Sequence, residues 1–286
     1  HLIFCFLGFL IICFLSSFSI KNLIFISIFF FCFSLLLSLS TIIFFPETKG
    51  ASRWIKFYGF SFQPSEIIKP SFIVVSSLLL SRFKTKNDLS FIINVFIFVL
   101  IGIILLRQPD FGMFLLLFLV WMIQILNSRL DVKILIPIIV FFTGVFITSY
   151  FFLDHVRFRI NNFIMGNVGD NYQINKSLES FANGGLLGQG LGNGDISKSL
   201  PDAHSDFIFA LIGEEFGFLT IFLIICLYLI IYLRIFVICN KANNFFVLNS
   251  TLGLGNIFIF QTIINISTSI NLLPTKGMTL PFISYG

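Results

Sequence analysis

Eight apolar stretches of membrane-crossing length decide what this chain can fold into. They run from Leu2 to Ile20, Leu23 to Phe45, Ser65 to Ser81, Leu89 to Leu106, Phe111 to Ser128, Ile134 to Leu153, Phe207 to Leu233 and Phe245 to Ile270. At about 1.5 Å of rise per residue, roughly 20 helical residues cross the hydrocarbon core, where a helix satisfies its own backbone. The expected fold is therefore all-α. It is a polytopic helical bundle, one transmembrane domain over residues 1–286, with a large extracytoplasmic loop at 154–203. Composition agrees: with 57% apolar and 11% charged residues, too little polar surface exists to cover a water-soluble domain. The first stretch has neither a basic lead-in nor a small-residue cleavage site, so it reads as a span and not a signal peptide. His1 in place of a start methionine reads as the interior of a longer protein.

In a membrane chain the net charge of +5 is loop charge, and no basic stripe interleaved with stacking aromatics marks a nucleic-acid surface. Phe is the filler of this chain, 42 times over, and is read as lipid-facing and packing material. Cys5, Cys13, Cys32, Cys226 and Cys239 sit in or beside apolar runs with no Cys-x-x-Cys pair, and read as small buried hydrophobes. His1, His155 and His204 have no zinc spacing, so no metal site is expected. The sequons at Asn175, Asn249 and Asn265 read as chance.

Short basic turns (Lys21; Arg82 to Lys86; Arg129 with Lys133; Arg234 with Lys241) share one side under this span count and are placed in the cytoplasm. Three polar stretches then share the outer side: Lys49–Lys69, Asp154–Ala203 with its junction Leu200-Pro201-Asp202-Ala203-His204-Ser205-Asp206-Phe207, and Leu273–Gly286. Such a surface, lined by both charge signs, suits a polar head group whose tail stays in lipid.

Each candidate has a plain reading beside a chemical one. Pro64 suits the first turn of a helix, which puts Glu66 and Lys69 on one face. There they either neutralise each other or face a substrate cleft. Arg53 beside Trp54 is either an interfacial anchor or a guanidinium fork for pyrophosphate with an indole face for a head group. Lys276 is either a snorkelling cation or a further fixed positive charge for substrate. Asp110 is the natural cap of the helix that begins at Phe111. The glycines of the 184–194 stretch lack the G-x-G-x-x-G register and a Walker lysine, so a tightly turning substrate loop replaces the nucleotide reading. His204, Ser205 and Asp206, being consecutive, do not form a hydrolytic triad. A carboxylate at the water–lipid boundary asks for a reason: Asp206 is either a helix cap or a general base whose apolar neighbours raise its pKa.

Gly50-Ala51-Ser52-Arg53-Trp54-Ile55, Gln63-Pro64-Ser65-Glu66, Gln108-Pro109-Asp110-Phe111-Gly112, Pro201 to Ala210 with Gly213-Glu214-Glu215, and Pro274-Thr275-Lys276-Gly277 through Gly286 resemble, in this order, the SEDS family (shape, elongation, division and sporulation). The Pro-Thr-Lys-Gly-x-Thr-Leu-Pro form is closer to its division branch than to its elongation branch. The resemblance implies ten transmembrane helices, of which this chain carries about eight, lacking the first and most of the last. It implies a peptidoglycan glycosyltransferase polymerising lipid II (an undecaprenyl-pyrophosphate-linked disaccharide pentapeptide) in the bacterial inner membrane at the septum. Its partners would be a class B penicillin-binding protein and other divisome proteins.

The family's essential aspartate falls on Asp206, and its tryptophan, glutamate and lysine fall on Trp54, Glu66 and Lys69. Arg53, His204 and Lys276 complete the expected substrate-binding set. Ser205 replaces a usual threonine, and Lys176 stands where glutamine is common. No cofactor is required, and a divalent cation, magnesium or manganese, is left open beside Arg53 and Lys69 to offset leaving-group charge. A lipid II flippase and a non-catalytic divisome scaffold are the alternative functions.

Overall fold

The computed structural model describes residues 2–44, 53–57, 60–83, 89–128, 132–165, 171–274 and 277–284. All eight apolar stretches become helices: α1 (Leu2–Ser16), α2 (Ile20–Phe44), α3 (Pro64–Ser81), α4 (Leu89–Arg107), α5 (Phe111–Asn127), α6 (Val132–Phe152), α9 (Ile208–Asn240) and α10 (Phe245–Ser269). Five of them, α2, α4, α6, α9 and α10, are long and apolar enough to cross a membrane. The loop expected at 154–203 folds further, into α7 (Asp154–Met165), α8 (Asn171–Gly184) and a 3₁₀ turn at Ser197–Ser199. A two-stranded antiparallel hairpin, β1 (Ile55–Phe57) with β2 (Phe60–Phe62), pairs Ile55 with Phe62 ahead of α3.

The chain divides into two compact units. The first comprises residues 1–135 and 235–257, and the second 136–234 and 258–286.

In the first unit α3 is the hub, packing on α2, α4 and α5. Pro64 opens it at the first helical position, where a missing N–H is harmless. Small buried residues let α3 approach its neighbours closely: Ser34, Ser38 and Thr41 lie on α2, and on α3 Ser71 is joined by Ser76, which accepts from Asn94 of α4, and Ser77, which accepts from Gln124 of α5. Within α3, Ser71 Oγ donates to Ile67 O at 2.6 Å and Ser77 Oγ to Ile73 O at 2.8 Å. The apolar core between α3, α4 and α5 is built from Phe72, Phe98, Phe114 and Trp121, with the Phe98 and Trp121 rings stacked 4.1 Å apart. Trp121 Nε1 donates to Asn94 Oδ1 at 2.6 Å, which lets an indole be fully buried without an orphaned donor.

The second unit carries α6, α7, α8, most of α9, the end of α10 and the segment 277–284. Its core joins Phe209, Ile212, Ile221, Tyr228 and Leu280. Tyr228 donates its hydroxyl to Pro281 O at 2.5 Å, tying the C-terminal segment to α9.

The cysteines depart from expectation in part. Cys239 is buried, but Cys13 and Cys32 lie on the exposed apolar faces of α1 and α2, where a thiol is tolerated as one more small hydrophobe.

Candidate functional site

Two polar constellations stand out, one in each unit. The first is organised by Asp110. Its Oδ1 accepts from Met113 N at 3.3 Å, the expected cap of α5, and its Oδ2 accepts from Gln63 Nε2 at 3.2 Å, just before α3. Arg53 Nη1 lies 3.7 Å from Asp110 Oδ1, while Arg53 Nε donates to Gln108 O at 2.9 Å and Nη2 donates to Pro109 O. Gln108 is pinned from the other side: its Nε2 donates to Ser38 O at 3.1 Å and Thr41 Oγ1 at 2.7 Å. Arg53 therefore grips the Gln108-Pro109-Asp110 turn, where the sequence had offered anchor or pyrophosphate fork.

Lys69 and Glu66 form a 2.6 Å ion pair, with the lysine side chain 5% exposed and the glutamate 46%. The mutual neutralisation read as one alternative is present, and it leaves a carboxylate at the surface. Trp54 is half-buried beside Arg53.

The second constellation is the Pro201–Phe207 turn ahead of α9. Asp202, at a positive φ of 55°, offers its carbonyl to the N–H of Ser205 at 3.1 Å and of Asp206 at 3.0 Å. This coil holds Asp206 one residue short of Phe207 and two short of the helix start.

The side of α10 clamps it. Asn265 Nδ2 donates to Asp206 O at 2.9 Å and to Met278 O at 2.6 Å, and Ser284 Oγ donates to Ser205 O at 2.6 Å. Gln261 Nε2 holds the same C-terminal segment through Thr279 O at 2.9 Å. The Asp206 carboxylate faces Gly277, where a Cβ would sit 3.1 Å from Oδ2 on a backbone of φ +60°. Glycine there leaves the carboxylate its room. Next to this turn lies a cleft of about 520 Å³ lined by Ser197, Lys198, Asp202, His204, Ser205 and Glu215, among others.

What shapes the cleft is a break in α9. Gly217 has φ 77° and ψ −179°, outside the helical region. In an unbroken helix Phe218 N–H would bond Glu214 O, and Leu219 N–H would bond Glu215 O. Instead Phe218 N donates to Gly185 O at 2.9 Å and Leu219 N to Leu186 O at 3.2 Å, while Gln189 N and Gly190 N donate to Glu214 O and Glu215 O, each at 2.9 Å. The glycine loop is spliced into the helix's own ladder.

Such an approach is backbone to backbone. A Cβ on Gly184 would lie 1.9 Å from Gly213 O, one on Gly188 2.2 Å from Glu215 O, and one on Gly217 2.4 Å from Gly188 N. The loop turns tightly, as its composition suggested.

Two carboxylates finish the splice. Glu214, fully buried, accepts from Asn183 Nδ2 at 2.7 Å and Ile196 N at 3.0 Å through Oε1, and from Ser197 N at 2.7 Å through Oε2. Glu215 Oε1 accepts from Gly192 N at 3.1 Å and lines the cleft. On α8, Lys176 pairs with Glu179 at 2.5 Å, a bond that raises the lysine pKa and gives the unusual residue at this position a local partner.

Of the expected site residues, Arg53, Trp54, Glu66 and Lys69 belong to the first unit and His204 and Asp206 to the second; Lys276 lies outside the described residues. His204 lines the cleft directly. Sequence reasoning places Glu214 in a motif without giving it a role, and misses Asn265 as a site residue. Both are polar residues set inside apolar runs, and that oddity was the available signal; Asn265 had been seen only as a chance sequon. Among the described residues no three His, Cys, Asp or Glu side chains converge as a metal-binding group.

Similarity to known proteins agrees with this geometry. The family model described as "Cell cycle protein", covering FtsW, RodA and SpoVE, matches residues 1–286. The probable peptidoglycan glycosyltransferase FtsW of Caulobacter vibrioides is 33% identical over 245 residues, covering 84% of this chain and 62% of that protein. The protein of the same name from Buchnera aphidicola is 38% identical over 250 residues, covering 83% of this chain and 70% of its own length. The chain thus spans about two thirds of the length of the curated relatives it matches. Among solved structures, the rod shape determining protein RodA of Thermus thermophilus superposes with a TM-score of 0.70 at 21% identity, covering 99% of this chain and 78% of that one. A chain from a peptidoglycan synthase complex superposes with a TM-score of 0.81 at 20% identity, covering 98% and 81%. A clamped aspartate turn, a helix-spliced glycine loop and a family match along the entire chain lead to one conclusion: this chain belongs to the FtsW, RodA and SpoVE family of cell cycle proteins.

Proposed function

We propose that the protein is a peptidoglycan glycosyltransferase that polymerises lipid II in septal wall synthesis, with Asp206 as its general base. The observation that carries this reading is the clamped Asp206. A carboxylate on a turn fixed by Asn265, Ser284 and Gly277, beside a cleft large enough for sugar and phosphate groups, is held in one place for one task.

In the proposed step Asp206 accepts the proton of the sugar 4-hydroxyl of one lipid II. That oxygen attacks the anomeric carbon of the growing chain with inversion, and the bond to undecaprenyl pyrophosphate breaks with its electron pair on the leaving phosphate. The Lys198 ammonium and the His204 ring line the cleft and are assigned to meet that charge, the first as a cation and the second as an N–H donor. Trp54, Glu66 and Lys69 are assigned to substrate contact on the first unit, and Lys276 is assigned likewise. Arg53, with its guanidinium on the Gln108 to Asp110 turn, is assigned to positioning. Magnesium or manganese is assigned to the pyrophosphate of the substrate, the described residues offering no group of three His, Cys, Asp or Glu to hold it.

The protein would act from the outer face of the bacterial inner membrane at the septum, together with a class B penicillin-binding protein that cross-links the strands and other divisome proteins. The reading is tested with full-length Asp206→Asn reconstituted with that partner. Polymerisation of labelled lipid II is expected to vanish while expression and folding persist. Normal glycan strands from the variant overturn the assignment, and head-group translocation in vesicles that survives the loss of Asp206 would favour a flippase.

A further inference from the structure

The glycine loop carries three leucines that nothing in the catalytic reading uses. Leu186, Leu187 and Leu191 are 68%, 79% and 78% exposed, although the loop around them is tightly built. In water such a cluster would be a liability.

Its depth is fixed by the splice into α9. The helix runs without a charge from Phe216 to Leu233, between Glu215 and Arg234. After the break at Gly217 the helix continues in line from Phe218 to Asn240, and its uncharged part, Phe218–Leu233, is about 24 Å long. Phe218 and Leu219, at the start of that part and beside the loop, are 55% and 56% exposed. Leu186 O bonds Leu219 N, so this leucine lies level with a residue inside the span.

Lipid also demands a backbone with few unmet polar groups. The loop meets that demand with the four exchanged bonds to α9, with Gly188 N donating to Gly184 O at 2.8 Å and with Asn193 N donating to Gly190 O at 3.1 Å. Its polar side chains turn back on it: Gln189 Nε2 donates to Asn183 O at 2.5 Å and Asn193 Nδ2 to Gln189 O at 3.2 Å. On α9 the exposed Phe218, Leu219, Phe222 and Leu223 continue the apolar surface.

We propose that Leu186–Leu191 is a re-entrant wedge whose leucines insert into the hydrocarbon of the leaflet on the side of the Asp206 turn. The occupant of this surface is lipid, because the leucines prolong the bilayer-facing side of α9. Through Gly192 N and Glu215 the wedge also fixes one wall of the cleft at the bilayer boundary.

The test is tryptophan fluorescence of the full-length protein in phosphatidylcholine–phosphatidylglycerol vesicles, with the parent's emission subtracted. Leu187→Trp is compared with Leu223→Trp on the lipid face of α9 and with Ser199→Trp on the exposed 3₁₀ turn. Leu191→Trp serves if the first variant fails to insert. Brominated lipid is expected to quench Leu187→Trp at least half as strongly as Leu223→Trp, with little effect of acrylamide. Acrylamide quenching equal to that of Ser199→Trp overturns the proposal. So does protection from both quenchers, which would mean that protein covers the loop.

Discussion

Replacing Glu214 by Gln isolates the carboxylate that fastens the glycine loop to α9. The change keeps size and shape. Its remaining oxygen can still accept from Asn183 Nδ2 and Ile196 N, but without charge assistance, and its amide nitrogen is turned onto the Ser197 N–H that Oε2 receives in the native protein. A hydrogen bond to a charged group contributes about 1.5–3 kcal/mol and a neutral one about 0.5–1.5, so weakening two bonds and losing a third destabilises the loop by about 3–5 kcal/mol. Amide hydrogen exchange in detergent micelles reads this locally: protection of Ile196, Ser197 and the 188–190 amides is expected to fall by roughly 10²- to 4 × 10³-fold, or to the loop's full opening energy if that is smaller. The transmembrane helices of the first unit should be unaffected. Unchanged protection at Ile196 and Ser197 would refute the reasoning, since it would mean the buried carboxylate contributes nothing that an amide cannot supply.

Removing the clamp on the Asp206 turn by Asn265→Leu deletes the bonds to Asp206 O and Met278 O without opening a cavity. Steady-state polymerisation by the full-length variant is expected to show kcat lower by roughly 10²-fold with KM little changed, and an unchanged kcat would remove Asn265 from the positioning set. Gly217→Ala places a methyl 2.4 Å from Gly188 N on a left-handed backbone. Unfolding followed by exposure of the buried Cys239 thiol should show it destabilised by at least about 1–2 kcal/mol, whereas alanine at the exposed, unobstructed Gly185 should cost no more than its own backbone strain.

The helices of the bundle were legible because each is written locally. Apolar runs of span length, Pro64 at a helix start and Asp110 three residues before Met113 need no partner to be read. The two helices within 154–203 were not, because their composition is mixed. In α8 the signal was there as spacing: Ile174, Ser177 and Phe181 line one face, with Ile174 and Ser177 buried and Phe181 packed on Phe209. Arg53 misleads for a different reason. Its partners lie 55 and 56 residues away in the chain, so its guanidinium looks available when read alone. The break at Gly217 is likewise silent in a run of hydrophobes, since a glycine there reads equally well as a packing residue; only the returning loop shows why the helix parts.

That exchange of ladder partners also limits where the gene can be edited. Between Gly184 and Gly190 the chain is matched to α9 bond for bond, so one added or deleted residue would put every pairing out of step at once and pull Glu215 from the cleft wall. Epitope tags and protease sites in the 154–203 connection should therefore avoid this paired stretch.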